Sequence, residues 1–184
     1  MIKSSLHIDF LSNPKDSPMH ETHIAPNASK TERYQTIVPA IEALLSSDRD
    51  LFIAGLANVN ALLKETFGWL WVGFYLVDEQ RTELQLSAFQ GPVACTRIAH
   101  GRGVCGQAWA QNRTIVVPDV NQHPDHIACS SRSQSEIVVP LYNQRQQIIG
   151  VLDADAEQIN QFDEIDAEYL QQICQIITKN LLAQ

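Results

Sequence analysis

The spacing of apolar residues changes from a helical to an alternating period along the chain, and that change divides it into elements. Ile37, Ile41, Leu44 and Leu45 recur at the helical period and predict a helix over Thr31 to Ser47. Thr31 is its expected N-cap and Pro39 a potential kink. A second helix is expected from Asp48 or Asp50. Its apolar face is Leu51, Ala54, Leu56, Val59, Leu62 and Leu63, and Gly68 closes it. The run Leu70 to Val77 is aromatic and β-branched, so it reads as a buried strand. After a turn at Asp78 to Thr82, Glu83 to Phe89 alternates, with Leu84, Leu86 and Ala88 on one face of a half-buried strand.

The second half continues in short pieces. Ala94 to Ile98 predicts a strand, Gly103 to Asn112 a short helix, and Thr114 to Val117 another strand. Pro118 to Arg132 is polar and reads as a long loop. Glu136 to Tyr142 and Gln147 to Ala154 predict two strands joined as a hairpin around Asn143 to Gln146. Phe162 to Leu182 closes the chain as a helix with Asp163 near its start. Its expected inward face is Ile165, Tyr169, Leu170, Ile173, Ile176 and Ile177. Helices bracketing a run of short strands fit an α+β domain with an antiparallel sheet of about six strands.

Composition narrows the partners. A length of 184 residues suits one domain, and the net charge of -8 leaves no basic stripe for nucleic acid or an anionic membrane. No apolar run reaches the roughly 20 residues of a membrane span. The N-terminus lacks a signal-peptide core, because Leu6, Ile8, Phe10 and Leu11 are interrupted by polar residues. A cytoplasmic protein is expected. In that reducing compartment Cys95, Cys105, Cys129 and Cys174 read as catalytic, metal-binding or simply buried rather than as structural disulfides. Residues 1 to 29 read as a flexible extension and residues 30 to 184 as the folded domain. The extension holds Pro14, Pro18 and Pro26 among polar residues without periodicity.

Several residues stand where chemistry needs them. Gly101-Arg102-Gly103-Val104-Cys105-Gly106 matches G-x-G-x-x-G. A dinucleotide site would require a preceding apolar parallel strand, and Arg97 and His100 interrupt that stretch. The glycines read instead as a positive-φ turn and a close helix contact. Cys129 lies in the polar loop beside His126, Ser130, Ser131 and Arg132. Positive charge there would lower a thiol pKa from about 8.5 and favour a nucleophilic thiolate. His123, His126 and Cys129 form an alternative zinc set, although no C-x2-C knuckle accompanies them. Cys174, in the apolar stretch of the last helix, reads as a small buried hydrophobe. Asp153 and Asp155 are two apart on a predicted strand, so they share a face, and Glu136 opens the neighbouring strand. Carboxylates so placed are costly unless solvated or paired with something cationic. Trp71 and Tyr75 are core residues by default, or the wall of a small-ligand pocket.

Six segments together resemble one family. They are Trp71-Val72-Gly73-Phe74-Tyr75, Phe89 to Cys95, Gly101 to Gly106, His126-Ile127-Ala128-Cys129, Ser135 to Val138 and Ile149 to Asp155. Their joint pattern resembles the GAF-type free methionine-(R)-sulfoxide reductases, closely over residues 70 to 182 and loosely over the two N-terminal helices. The resemblance implies a single GAF-like domain that reduces free L-methionine-(R)-sulfoxide without cofactor or metal. It implies Cys129 as the nucleophile that becomes a sulfenic acid, Cys95 as the main resolving thiol and Cys105 as a secondary or recycling thiol. Glu136, Asp153 and Asp155 would bind the substrate ammonium and help protonate the sulfoxide oxygen, while Trp71 and Tyr75 contact the S-methyl end. Thioredoxin as reductant and a homodimer formed through the terminal helices are implied in the same way. The turn Asn143 to Gln147 departs from the family by about one extra residue and by the lack of a glycine. A GAF domain that senses a small ligand is the alternative reading.

Overall fold

The computed structural model describes residues 23–47, 49–125, 127 and 130–182. Among them, six strands form one antiparallel sheet: β1 (Trp71–Val77), β2 (Glu83–Gln90), β3 (Arg97–Ala99), β4 (Ile115–Val117), β5 (Ser135–Tyr142) and β6 (Ile148–Ala156). Their spatial order is β3-β2-β1-β6-β5-β4. Four α-helices are found among the described residues: α1 (Lys30–Ser47), α2 (Phe52–Phe67), α3 (Gly103–Gln111) and α4 (Glu164–Leu181). This is the expected α+β architecture with its six-stranded sheet.

Strand alternation splits the sheet into two faces with different partners. Val72 and Phe74 of β1, Ile137, Val139 and Leu141 of β5, and Leu152, Ala154 and Ala156 of β6 turn one way. They pack with Tyr34, Ile37 and Ile41 of α1, Leu56, Val59 and Leu63 of α2, and Leu170, Ile173 and Ile177 of α4. Trp71, Tyr75, Val138 and Val151 turn the other way and meet Val104, Cys105, Ala108 and Trp109 of α3. Three helices therefore seal one face, and the single short helix α3 covers only part of the other. A cavity opens on that second face.

The chain ends of the helices show why they start and stop where they do. Ser29, not Thr31, caps α1: its N–H donates to Glu32 Oε2 at 2.8 Å, and the Glu32 N–H donates back to Ser29 Oγ at 3.3 Å. That reciprocal pair is a capping box, which outcompetes a threonine already inside the first turn. Pro39 is accommodated within an unbroken α1. Helix α2 begins at Phe52 behind Leu51, without a side-chain cap, rather than at an aspartate. Gly68 ends it as expected, with φ 69° and its N–H donating to the Lys64 carbonyl. Asp163 caps α4 and Asp166 completes a second capping box.

Lys30 joins these two helix starts. Its ammonium donates to Asp163 at 2.8 Å and to Asp166 at 2.5 Å, and the Tyr34 hydroxyl donates to Asp166 Oδ1 at 2.8 Å. Ile165 was expected to face inward but stands exposed, because it follows the cap on the outer side of the first turn. The short strand expected over Ala94 to Ile98 forms later, as β3, where Glu83, Leu84 and Gln85 of β2 offer partners to Ala99, Ile98 and Arg97. The polar stretch after β4 includes one 3-10 turn, Val120–Gln122, capped by Asp119. In the β5–β6 turn, which lacks glycine, Gln146 takes the left-handed conformation at φ 59°. Asn143 Oδ1 accepts from the N–H groups of Arg145 and Gln147 and holds that turn. Of the N-terminal extension, residues 1–22 lie outside the described residues, and Ile24 packs against the three-helix core.

Candidate active site

The register of three strands builds the site. On β6, Asp155 pairs with Trp71 of β1 on one side and Glu136 of β5 on the other. One step along the same face, Asp153 lies between Gly73 of β1 and Val138 of β5. Trp71, Asp155 and Glu136 thus form one row across the sheet, with Asp153 in the row beside it. All four line a cavity with Tyr75, Leu70, Val104, Cys105, Ile127 and Ser133.

Gly73 makes room for this row. A Cβ built there would lie 2.4 Å from Trp71 Cη2 and 2.5 Å from Phe89 Cβ. The indole therefore lies across the glycine, stacked on Phe89 with ring centroids 5.5 Å apart and on Tyr75 at 5.9 Å. These rings give the cavity an apolar wall. The Tyr75 hydroxyl passes beyond the wall and donates to the Cys95 carbonyl at 2.9 Å, which ties the segment after β2 to the central strand.

The strands beside that wall bring acidic groups to the cavity. Glu136 and Asp153 are both only 6% exposed. Burial pushes the Glu136 carboxyl well above its usual range, and the nearby Asp155 carboxyl pushes it further. Asp153 is raised by burial and by Asp155 and Glu136, against a smaller opposing pull from its hydrogen bond with Cys105. Asp155 is half-buried and accepts a hydrogen bond from the Ser133 hydroxyl. Asp153 Oδ1 and Trp71 Nε1 are buried without a hydrogen-bond partner. Among the described residues lining the cavity, none is basic. Such a pocket holds protons when empty, can act as an acid, and favours a cationic ligand whose charge replaces them.

Cys105 enters from α3. The glycine motif positions it: Gly101 and Gly103 have φ of 77° and 58°, and a Cβ on Gly106 would stand 2.5 Å from the Ala99 carbonyl oxygen. The motif is thus a positive-φ turn and a close helix contact, preceded by an antiparallel strand. Burial, then Asp153 and Glu136, push the Cys105 thiol well up, and it donates a hydrogen bond to Asp153. Cys105 is therefore held as a protonated thiol. Cys95 is half-buried and disulfide-bonded. Cys174 is buried in α4, its thiol raised to about 12 by burial alone.

The structure brings Trp71, Tyr75, Cys105, Glu136, Asp153 and Asp155 to one cavity. Cys129 and His126 lie outside the described residues, so the expected nucleophile and two members of the His123–His126–Cys129 zinc set are not placed. Sequence reasoning missed Gly73 and Ser133. A glycine inside an otherwise bulky strand signals a close approach and could have flagged Gly73. Ser133 carries no such signal, since only the fold sets it against Asp155.

A model of the GAF domain matches residues 56–181. The chain is 58% identical over 149 residues to GAF domain-containing protein A of Dictyostelium discoideum, covering 81% of this chain and 92% of that protein. It is 42% identical over 154 residues to the free methionine-R-sulfoxide reductase of Escherichia coli K12, covering 83% and 91% of the two chains. Among solved structures, the free methionine-R-sulfoxide reductase from Neisseria meningitidis in complex with its substrate superposes with a TM-score of 0.84. That similarity is at 55% identity and covers 89% of this chain and 96% of the other.

Proposed function

The chain belongs to the GAF-type free methionine-(R)-sulfoxide reductases, an oxidoreductase family, and from that premise we propose that it reduces free L-methionine-(R)-sulfoxide to L-methionine. One observation carries the reading. The buried carboxyls Glu136 and Asp153, with Asp155 beside them, line one cavity together with the Trp71–Tyr75 wall. The carboxyls suit the ammonium of a free amino acid, and the aromatic wall suits a methylthio end. A methionine within a peptide has no ammonium, so the acidic side of the pocket disfavours it.

The proposed chemistry follows from these groups. The Cys129 thiolate attacks the sulfoxide sulfur while the protonated Glu136 carboxyl donates to the sulfoxide oxygen. A proton is needed because oxygen is a poor leaving group unprotonated. The substrate S–O bond breaks, the hydroxyl passes to the Cys129 sulfur as the transient sulfur–sulfur bond breaks, and methionine leaves, so the sulfoxide gains the two electrons that the thiol loses in becoming a sulfenic acid. The Cys95 thiol then displaces water from the sulfenic sulfur and forms a disulfide. Support for that pairing comes from the disulfide-bonded state of Cys95. Cys105 passes electrons as a recycling thiol, and thioredoxin supplies the dithiol that resets the enzyme. We place the reaction in the cytoplasm and on a homodimer, in line with the family reading.

The test is a chromatographic or NMR assay of methionine formation from each free sulfoxide epimer, with thioredoxin as reductant. Turnover of the free R epimer, with much slower turnover of N-acetyl-methionine-(R)-sulfoxide, is expected. Equal rates on the acetylated and free compounds would refute the ammonium role of the carboxyls.

A further inference from the structure

We propose that Cys105, Glu136 and Asp153 together bind a thiophilic divalent cation of the zinc class, and that the bound cation excludes the substrate. The second half of that statement rests on the reading above, in which the same carboxyls receive the substrate ammonium. The first half stands on geometry alone. The Cys105 sulfur and one carboxylate oxygen each from Glu136 and Asp153 all lie within 4.8 Å of one another. They come from three different elements, α3, β5 and β6, so the cluster is made by the fold and not by local sequence.

A second observation points to a ligand independently of the clustering. Asp153 is only 6% exposed, lines the cavity, and has Oδ1 buried without any hydrogen-bond partner. A buried oxygen with no donor is a position that a cation satisfies. The donor set then selects among cations. Zinc accepts thiolate at about 2.3 Å and carboxylate at about 2.0 to 2.2 Å, whereas magnesium and calcium take oxygen ligands in larger numbers. A tetrahedral ion of that size spaces its ligands by roughly 3.5 Å, so the longest of these separations, at most 4.8 Å, must contract by about 1.3 Å or less to close around it. Three protein ligands leave a fourth position facing the cavity, where water or a substrate atom can sit.

The binding step balances simply. The cation forms a bond to the Cys105 sulfur, the S–H bond breaks, and its proton leaves to water. The hydrogen bond that this thiol gives Asp153 is lost, and the unpartnered Oδ1 of Asp153 becomes a ligand. A cation with two positive charges replaces the protons that the buried carboxyls otherwise retain. The consequence is reversible inhibition by zinc, competitive with the free amino acid.

The test uses the reduced full-length protein and cobalt(II) as a spectroscopic probe. Titration should produce a thiolate-to-cobalt charge-transfer band at one equivalent. The band is expected to persist in a Cys95→Ser/Cys129→Ser double variant and to vanish in Cys105→Ser. Asp153→Asn and Glu136→Gln, which keep the thiol, should each weaken cobalt binding at least tenfold. They carry the test should Cys105→Ser fail to fold. Added zinc should erase the band, and free methionine should raise the apparent cobalt dissociation constant in proportion to its concentration. A band of full intensity in Cys105→Ser, or unaltered affinity in both carboxyl variants, would overturn the proposal while leaving the reductase reading untouched. A Cys105-dependent band in a protein that reduces no sulfoxide would support the metal site and sink the reductase reading instead.

Discussion

Replacing Asp153 by asparagine should move activity and stability in opposite directions. Asp153 is buried, its Oδ1 has no partner, and burial together with Asp155 and Glu136 raises its pKa. With the substrate bound, its carboxylate would make a charge-assisted hydrogen bond to the ammonium, worth about 1.5 to 3 kcal/mol. Its loss corresponds to a fall in kcat/KM on the order of 10- to 100-fold, since about 1.4 kcal/mol is a factor of ten. Without substrate the carboxyl is a burden. A raised folded pKa means that the folded chain holds a proton which the unfolded chain releases above the ordinary value of 3.8. The stability contributed by Asp153 is therefore complete below that value and is lost as pH rises through the folded one. Asparagine does not titrate, and its amide nitrogen in place of the unpaired oxygen would face acidic neighbours as a donor. The variant should be more stable at pH 8 by about 1 kcal/mol, which is roughly 2 to 4 °C in Tm for a chain of this size. The difference should shrink toward pH 4. Steady-state assays on the free R epimer and melting curves from pH 4 to 8 read both effects. A kcat/KM within twofold of wild type, or a Tm that falls at pH 8, would refute the assignment of Asp153 as a buried ligand for the substrate ammonium.

Glu136→Gln should lower kcat/KM by more than tenfold, about 1.4 kcal/mol of transition-state stabilisation. In wild type kcat/KM should fall as pH rises through the raised Glu136 value, because the acid form is consumed, and a pH–rate profile of the variant should lack that limb. Gly73→Ala forces a methyl against Trp71 and Phe89 at the 2.4 and 2.5 Å contacts. It should cost about 1 to 3 kcal/mol by chemical denaturation and raise KM through the displaced aromatic wall, and an unchanged KM would count against that wall as a substrate contact. Tyr34→Phe removes the 2.8 Å hydrogen bond to buried Asp166 on the far side of the sheet. A stability loss of about 1 to 3 kcal/mol with unchanged kcat/KM is expected, and a drop in kcat/KM would show coupling between the two faces.

The periodicity of the chain determines by itself that helices bracket six strands, because side-chain alternation and helical spacing are local properties of consecutive residues. Residue types likewise mark Glu136, Asp153 and Asp155 as costly or unusual in strands before any fold is known. Local rules fail where a distant partner decides. Ser29 rather than Thr31 caps α1 because Glu32 answers it, and β3 forms at Arg97–Ala99 because β2 offers its edge there. The site belongs to the same category. Spacing places Asp153 and Asp155 on one face, but only the pairing of β1, β6 and β5 sets Trp71, Asp155 and Glu136 in a row. Nothing in the sequence puts Cys105 within reach of Asp153, since the approach of α3 to the sheet depends on Gly106 meeting a carbonyl of β3. Which carboxyls are buried, and so which keep their protons, follows from that packing, because desolvation is a property of the assembled cavity and not of any segment of chain.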